Sequence, residues 1–373
     1  MSKPHRPYDV AAYIWPSYHH EPRVAHFWPE QDGEWYTVRR GTPRFPGHDM
    51  PRIPLLGCQD EADPKVMRQH VELALEHGIN VFIMDWYWYA NAPCFERQLN
   101  EGLIPALDGT DAKFYLMWAN HDVDTLWNMH VDTHWDRPRE TLWTGQVSRQ
   151  ELEPMFDRII ETYLGLDCYY RIDGKPVFSI FDYPNLIGGL GGIEPTADAF
   201  AWMRGRCLER GLPGLDIQAI ARLRAGVEAG ARLAPGSEAA TARQLGFDSA
   251  TAYQYVMDAG CTGDYVAWAD QAIGHWPDHE AVHGVYYPHV SIGWDNTHRN
   301  PSAGREQVVA NATPDAFEAC LWKARAWLDA RPDMTPLMTI NSWNEWTEGS
   351  YLLPDMRWGY GYLRAVRNVF GSR

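Results

Sequence analysis

Eight short apolar runs, each followed by a polar stretch and most then by an amphipathic helical segment, set the tightest limit on what this 373-residue chain can fold into. The runs are Asp9–Pro16, Asn80–Trp88, Phe114–Asn120, Pro176–Asp182, Leu215–Ala221, Phe247–Gln254, His289–Asp295 and Pro336–Trp343. Between them the spacing predicts helices over Pro64–His77, Cys94–Pro105, Arg149–Leu164, Thr196–Arg210, Asp264–Ala281, Thr313–Ala330 and Tyr360–Phe370, with a short one between about Ser237 and Leu245. Repeated strand–helix units bury their strands in a parallel sheet, and eight such strands close a barrel. Asp63-Pro64 and Thr313-Pro314 pair an N-cap acceptor with a first-turn proline, and Gly78 and Gly211 sit where helices must stop. Because barrels run past about 250 residues as one unit, the expectation is an α/β fold of the (β/α)8 TIM-barrel class, one domain over residues 1–373 with long βα loops.

Two stretches are too long and too polar to be plain connectors, Ser17–Cys58 after the first strand and His121–Val147 after the third. Both follow a strand's carboxyl end, the face on which barrels build their sites, so they read as cleft walls. Gly188–Gly192 reads as a flexible loop after the fourth strand.

Polar and aromatic residues come after the apolar runs, not before them, which gathers them around one mouth. Trp15 ends the first strand, Asp85, Trp86 and Tyr87 the second, and Trp118, Asn120 and Asp122 the third. Asp182, Arg222, Tyr253, Trp294 and Asp295 end the next four, and Asn341, Trp343 and Trp346 belong to the last. The chain holds 18 Trp and 19 Tyr, more Trp than a core of this size requires. Flat rings beside Asp, Asn and Glu suit sugars, which offer an apolar C–H face and a fringe of hydroxyls. All these residues are therefore candidate substrate contacts.

Glycoside hydrolysis usually takes two carboxyl groups, one to protonate the leaving oxygen and one to act as nucleophile or base. Glu345 and Glu348, three residues apart just beyond the last strand, are the candidate catalytic pair. Spacing alone leaves Asp85, Asp122, Asp182 and Asp295 as alternative partners.

Net charge is -16, from 49 acidic and 33 basic residues, with no Lys/Arg block. That balance argues against a nucleic-acid partner, whose phosphates demand a basic footprint. No apolar run approaches the roughly 20 residues needed to span a bilayer, and Met1 to Val10 lacks an apolar leader core, so a soluble, cytoplasmic chain with no membrane partner is expected. The six cysteines form no CxxC pair and read as reduced, packed residues. His130, Asp132 and His134, and the series His275, His279 and His283, lack a further fixed ligand and are not read as metal sites; a helical His stripe is more often solvent-facing. No Walker loop, GxGxxG or GxSxG elbow is present.

The run Trp343-Asn344-Glu345-Trp346-Thr347-Glu348-Gly349, with Leu353-Pro354-Asp355 after it, resembles the signature of glycoside hydrolase family 99 and its bacterial relatives, known as polysaccharide-biosynthesis glycosyltransferase-like proteins. Matches at Tyr13 to Pro16, His48 to Pro54, His77-Gly78-Ile79, Trp118-Ala119-Asn120, Ile172 to Pro176 and Gly293 to Thr297 extend it along almost the whole chain. The resemblance implies a (β/α)8 barrel, no cofactor, and retaining endo-α-mannosidase chemistry. It makes Glu345 the base that helps the substrate 2-hydroxyl attack the anomeric carbon to give an anhydro-sugar, and Glu348 the acid and then base. That role needs Glu348 kept protonated by an apolar or anionic setting, which Trp346 and Glu345 are placed to provide. Thr347 stands where the mannosidases usually carry His, so substrate identity does not transfer with the motif.

The leading expectation is a glycoside hydrolase acting on a mannan-like or bacterial oligosaccharide or polysaccharide. The alternatives are a glycosyltransferase or transglycosidase in polysaccharide assembly, and a barrel that binds carbohydrate without catalysis.

Overall fold

A computed structural model of the protein describes residues 8–130, 139–222, 238–300 and 302–371. All eight expected strands are present: β1 Asp9–Ile14, β2 Val81–Tyr89, β3 Lys113–Trp118, β4 Lys175–Ile180, β5 Asp216–Ile220, β6 Ser249–Thr251, β7 His289–Ser291 and β8 Leu337–Asn341. They pair in parallel in the order β6-β5-β4-β3-β2-β1-β8-β7. The seam closes through the stretch leading into β7, where the Ala250 N–H donates to the Val285 carbonyl and the Tyr287 N–H to the Ala250 carbonyl, each at 2.9 Å. The result is a (β/α)8 barrel.

The outer helices are α1 Pro64–Glu76, α2 Arg149–Ile159, α3 Ile193–Glu209, α4 Glu238–Leu245, α5 Tyr265–Gly274, α6 Trp276–His283, α7 Pro314–Asp329 and α8 Gly361–Phe370. Asp63 and Thr313 cap α1 and α7 as expected, accepting from the N–H groups of Lys65 and Ala316. Each such cap is worth about 1 kcal/mol. Apolar faces of these helices meet the outer face of the sheet, while Tyr13, Tyr115 and His289 fill the barrel interior.

Four local expectations differ. The stretch 264–281 is two helices, broken at His275, where Pro277 opens the first turn of α6. Residues 94–105 are not one α-helix: Ala92–Cys94 turns back antiparallel on β2, and Gln98–Leu103 is a π-helix leading into Ile104–Leu107. Gly188 and Gly189 lie in a helix, Tyr183–Leu190, which Asp182 caps and left-handed Gly191 ends. Sheet pairing stops one to four residues before several expected strand ends, because the chain there leaves the ladder to form the mouth.

Cys94, Cys207 and Cys320 are buried, Cys168 and Cys261 half-buried and Cys58 exposed, all as free thiols. Among the described residues no helix is long and apolar enough to cross a membrane.

Candidate active site

The chain leaves β8 through Asn341 and forms a tight ribbon at the barrel mouth. Asn344–Glu345 pairs antiparallel with Ser350–Tyr351, and Trp346–Glu348 is a single 3-10 turn between them. Gly349 closes the turn with φ +63°, and a Cβ there would lie 2.8 Å from the Cβ of Asp295. Only glycine meets both conditions without strain. Ser342 Oγ accepts from the Glu345 N–H at 2.8 Å and donates to the Ser350 carbonyl at 2.7 Å, which fixes the start of the ribbon.

Glu345 is buried. Its Oε2 accepts from Tyr253 Oη at 3.0 Å and from Asn341 Nδ2 at 3.2 Å, and Asn341 Oδ1 in turn accepts from Gln254 Nε2 at 2.8 Å. Tyr253 Oη also lies 2.9 Å from Asp85 Oδ2. A phenol has one proton and cannot donate to two ionised carboxylates at once. Burial and the nearby Glu345 charge push Asp85 well above the usual carboxylate range. The consistent arrangement has Asp85 protonated and donating to the phenol oxygen, with the phenol proton on Glu345. Burial raises Glu345 too, and the Arg299 guanidinium pulls it back down.

Arg299 joins the two candidate acids. Its Nη1 donates to Glu348 Oε1 at 2.7 Å and its Nη2 lies 3.7 Å from Glu345 Oε1. The same guanidinium grips Glu34 through Nε at 2.9 Å and Nη2 at 3.1 Å. Glu34 Oε2 also accepts from Trp15 Nε1 at 2.9 Å and Thr347 Oγ1 at 2.5 Å. Glu348 is thus held by an ion pair with Arg299, which the sequence did not anticipate. Trp346, its expected apolar neighbour, instead stacks on Tyr351 at 3.9 Å between ring centres.

Of the other candidate residues, the mouth collects Trp15, Tyr87 and Tyr253. Trp15 and Tyr87 meet edge-on at 5.5 Å, and Phe95, His121 and Trp127 complete that aromatic wall, with Phe181 against both His121 and Tyr253. Trp86 and Trp118 are paired neighbours in the sheet, on the face opposite Asp85 and Met117. Trp86 Nε1 donates to Glu96 there, beneath Arg158 and Tyr163, away from the mouth. Trp343 is buried against Phe82 and donates to His70 Nδ1 of α1 at 3.3 Å. Neither Trp86 nor Trp343 faces the carboxylate pair.

Several polar candidates brace loops. Asn120 clamps Asp182 through both its amide nitrogen and its oxygen at 2.7 Å. Asp182 caps the following helix, and Asp122 accepts from Thr144 Oγ1 and the Gly145 N–H within its own loop. Arg222 donates to the Phe181 carbonyl at 2.8 Å and lies over that ring. Trp294 is buried at the exit of β7, its carbonyl accepting from the Val309 N–H. Asp295 accepts from His48 Nε2 at 2.9 Å and Arg52 at 3.2 Å, partners that hold it far below the usual carboxylate range. It ties the loop after β1 to β7 without touching Glu345.

Two charged site residues, Glu34 and Arg299, escape sequence reasoning, as do Phe95, Trp127 and Phe181 of the aromatic wall. The available signals were the length of the 17–58 loop and the position of Arg299 two residues past Gly293 to Thr297. Among the described residues no cluster of His, Cys, Asp and Glu has the makings of a metal site. Asp132 and His134 lie outside the described residues. His279, expected at solvent, is buried against Asp258 at 2.9 Å.

The family model described as glycosyltransferase WbsX matches residues 10–366. A protein named "Uncharacterized protein WxcX" from Xanthomonas campestris pv. campestris is 28% identical over 367 residues, covering 97% of this chain and 50% of its own length; a second strain's copy matches equally. The chain therefore spans about half the length of the curated relatives it matches. Among solved structures, the GH99 endo-α-mannosidase of Bacteroides thetaiotaomicron superposes with a TM-score of 0.60 at 15% identity, over 96% of this chain and 95% of that one. A structure titled "Glycoside hydrolase-like protein" gives 0.65 at 15% identity, over 100% and 96%. The GH99-like barrel expected from the sequence is borne out as a fold, and with a family model matching from β1 into α8 this chain belongs to the glycosyltransferase WbsX family.

Proposed function

We propose that this glycan-active barrel cleaves glycosidic bonds with Glu345 and Glu348. The observation that supports it most is the pair itself, two carboxylates on one ribbon at the mouth, bridged by Arg299 and facing an aromatic wall. Glu345, raised by burial yet fed hydrogen bonds by Tyr253 and Asn341, suits a base that takes the proton of a substrate 2-hydroxyl. The 2-oxygen then attacks the anomeric carbon as Glu348 gives a proton to the leaving oxygen. Water activated by Glu348 opens the anhydro-sugar, and Glu345 returns the proton to the 2-oxygen. Glu348 takes the proton it gives the leaving oxygen up from solvent and can carry it on Oε2 while Oε1 keeps its hydrogen bond from Arg299 Nη1.

The family description favours a second reading, in which a sugar acceptor replaces water and the same carboxylates transfer the glycosyl group. Product release from a panel of mannans, bacterial surface polysaccharides and synthetic α- and β-glycosides tests the proposal. Cleavage is expected to fall at least about 100-fold in E345Q and in E348Q. Full activity of E348Q on a cleaved glycan overturns it, and turnover that needs a sugar nucleotide replaces it with the transferase reading.

A further inference from the structure

We propose that Glu34 is the positioning residue of this site, a third carboxylate that holds Glu345 and Glu348 in working geometry through Arg299 and Thr347. The assignment rests on the reading of those two residues as the catalytic pair. Glu34 comes from the long loop after β1 and is buried, yet its carboxylate receives four hydrogen bonds, from Trp15, Thr347 and two nitrogens of Arg299. The bidentate grip fixes the plane of the guanidinium. With Nε and Nη2 committed to Glu34, Nη1 is left aimed at Glu348 and Nη2 lies 3.7 Å from Glu345 Oε1. Independently, Thr347 is the residue between Glu345 and Trp346 on one side and Glu348 on the other, so its bond to Glu34 pins the turn that carries both acids. Arg299 itself touches no other carboxylate among the ion pairs described here. Without Glu34 the guanidinium keeps its charge but loses its fixed direction, and the ribbon keeps its fold but loses its anchor to the β1 loop. Trp15, whose ring also lies beneath Arg299, is locked by the same carboxylate. One buried group thereby sets the orientation of the cation, the turn and a wall of the mouth.

The test uses the full chain as E34Q and T347V. Hydrogen exchange of the Arg299 Nε–H, followed by 15N NMR and assigned by its absence in R299K, needs no substrate. Exchange is expected to be at least about 10-fold faster in E34Q than in wild type, measured at a temperature where both are fully folded. On a glycan that wild type cleaves, kcat is expected to fall about 100-fold in E34Q and about 10-fold in T347V with KM little changed, the signature of misplaced catalytic groups. Wild-type protection of Arg299 in E34Q, or wild-type kcat in both variants, overturns the assignment. If E34Q does not fold, T347V decides alone: unchanged kcat and unchanged Arg299 protection reject the proposal. Failure of wild type to cleave any glycan sinks the catalytic reading, while the exchange measurement still settles whether Glu34 directs Arg299.

Discussion

At the scale of single residues the site is a set of carboxyl groups told apart by their partners. Asp85 is buried, pushed well above the usual carboxylate range and turned to Tyr253, so its charge is expected to be dispensable and its hydrogen bond not. D85N is therefore expected to keep the fold and most of the activity, while D85A loses activity and E345Q loses it at least as far; wild-type activity in D85A would remove Tyr253 from the account. Arg299 lowers the titration of Glu345, and removing it leaves burial opposed only by the hydrogen bonds from Tyr253 and Asn341. R299M is expected to raise the Glu345 pKa, so that the fraction of ionised base falls at a given pH and the acid limb of kcat/KM moves to higher pH. A limb that stays put in R299M would show that another group sets it. The placement of Trp86 follows a rule the sequence already contained: side chains alternate along a strand, so with Asp85 inward its neighbour points to the helices.

At the scale of elements, the ribbon after β8 carries the proposed catalytic pair and Gly349 carries the ribbon. G349A forces a Cβ into left-handed backbone 2.8 Å from Asp295. A cost of about 2 kcal/mol is expected, read as a lower denaturant midpoint, with a loss of activity larger than the fractional loss of folded protein. Wild-type stability in G349A would contradict the turn geometry. The strands were legible in the sequence because each is a continuous apolar run buried on both faces, and α1 and α7 because Asp63 and Thr313 mark their first turns. The catalytic candidates were legible because Glu345 and Glu348 are local to one motif. Glu34 and Arg299 were not, since their bond joins residues 265 apart and nothing in either loop's own pattern announces it. The π-helix at Gln98–Leu103 was also unreadable, because its residues carry an ordinary helical pattern and only packing decides the wider turn.

At the scale of the whole molecule, the loops after the neighbouring strands β8, β1 and β2 are tied through a buried acid whose charge state makes stability depend on pH. Glu61 bridges Gln98 and Asn344, the residue before Glu345, and burial pushes it up to about 8. Its folded-state pKa lies above the unfolded value, so its proton stabilises the fold at low pH, and that contribution is lost as pH rises from the unfolded pKa through about 8. Within that window the loss is up to about 1.4 kcal/mol per pH unit. E61Q is expected to flatten this slope, read by denaturant melts at pH 5 and pH 8; an identical slope in E61Q would show that Glu61 is not the source. The net charge of -16 and the mouth's carboxylates together favour a neutral glycan over a polyanion.

The account stands or falls on whether Glu345 and Glu348 divide the work of breaking a glycosidic bond. The most direct measurement compares wild type, E345Q and E348Q on one glycone carrying first a poor and then a strongly acidic leaving group. An acidic leaving group departs without a proton, so E348Q should lose cleavage of the poor substrate by about 100-fold or more yet keep much of its rate on the activated one. E345Q should lose both. Wild-type rates for E345Q and E348Q on both substrates would contradict the account and move the chemistry away from this ribbon.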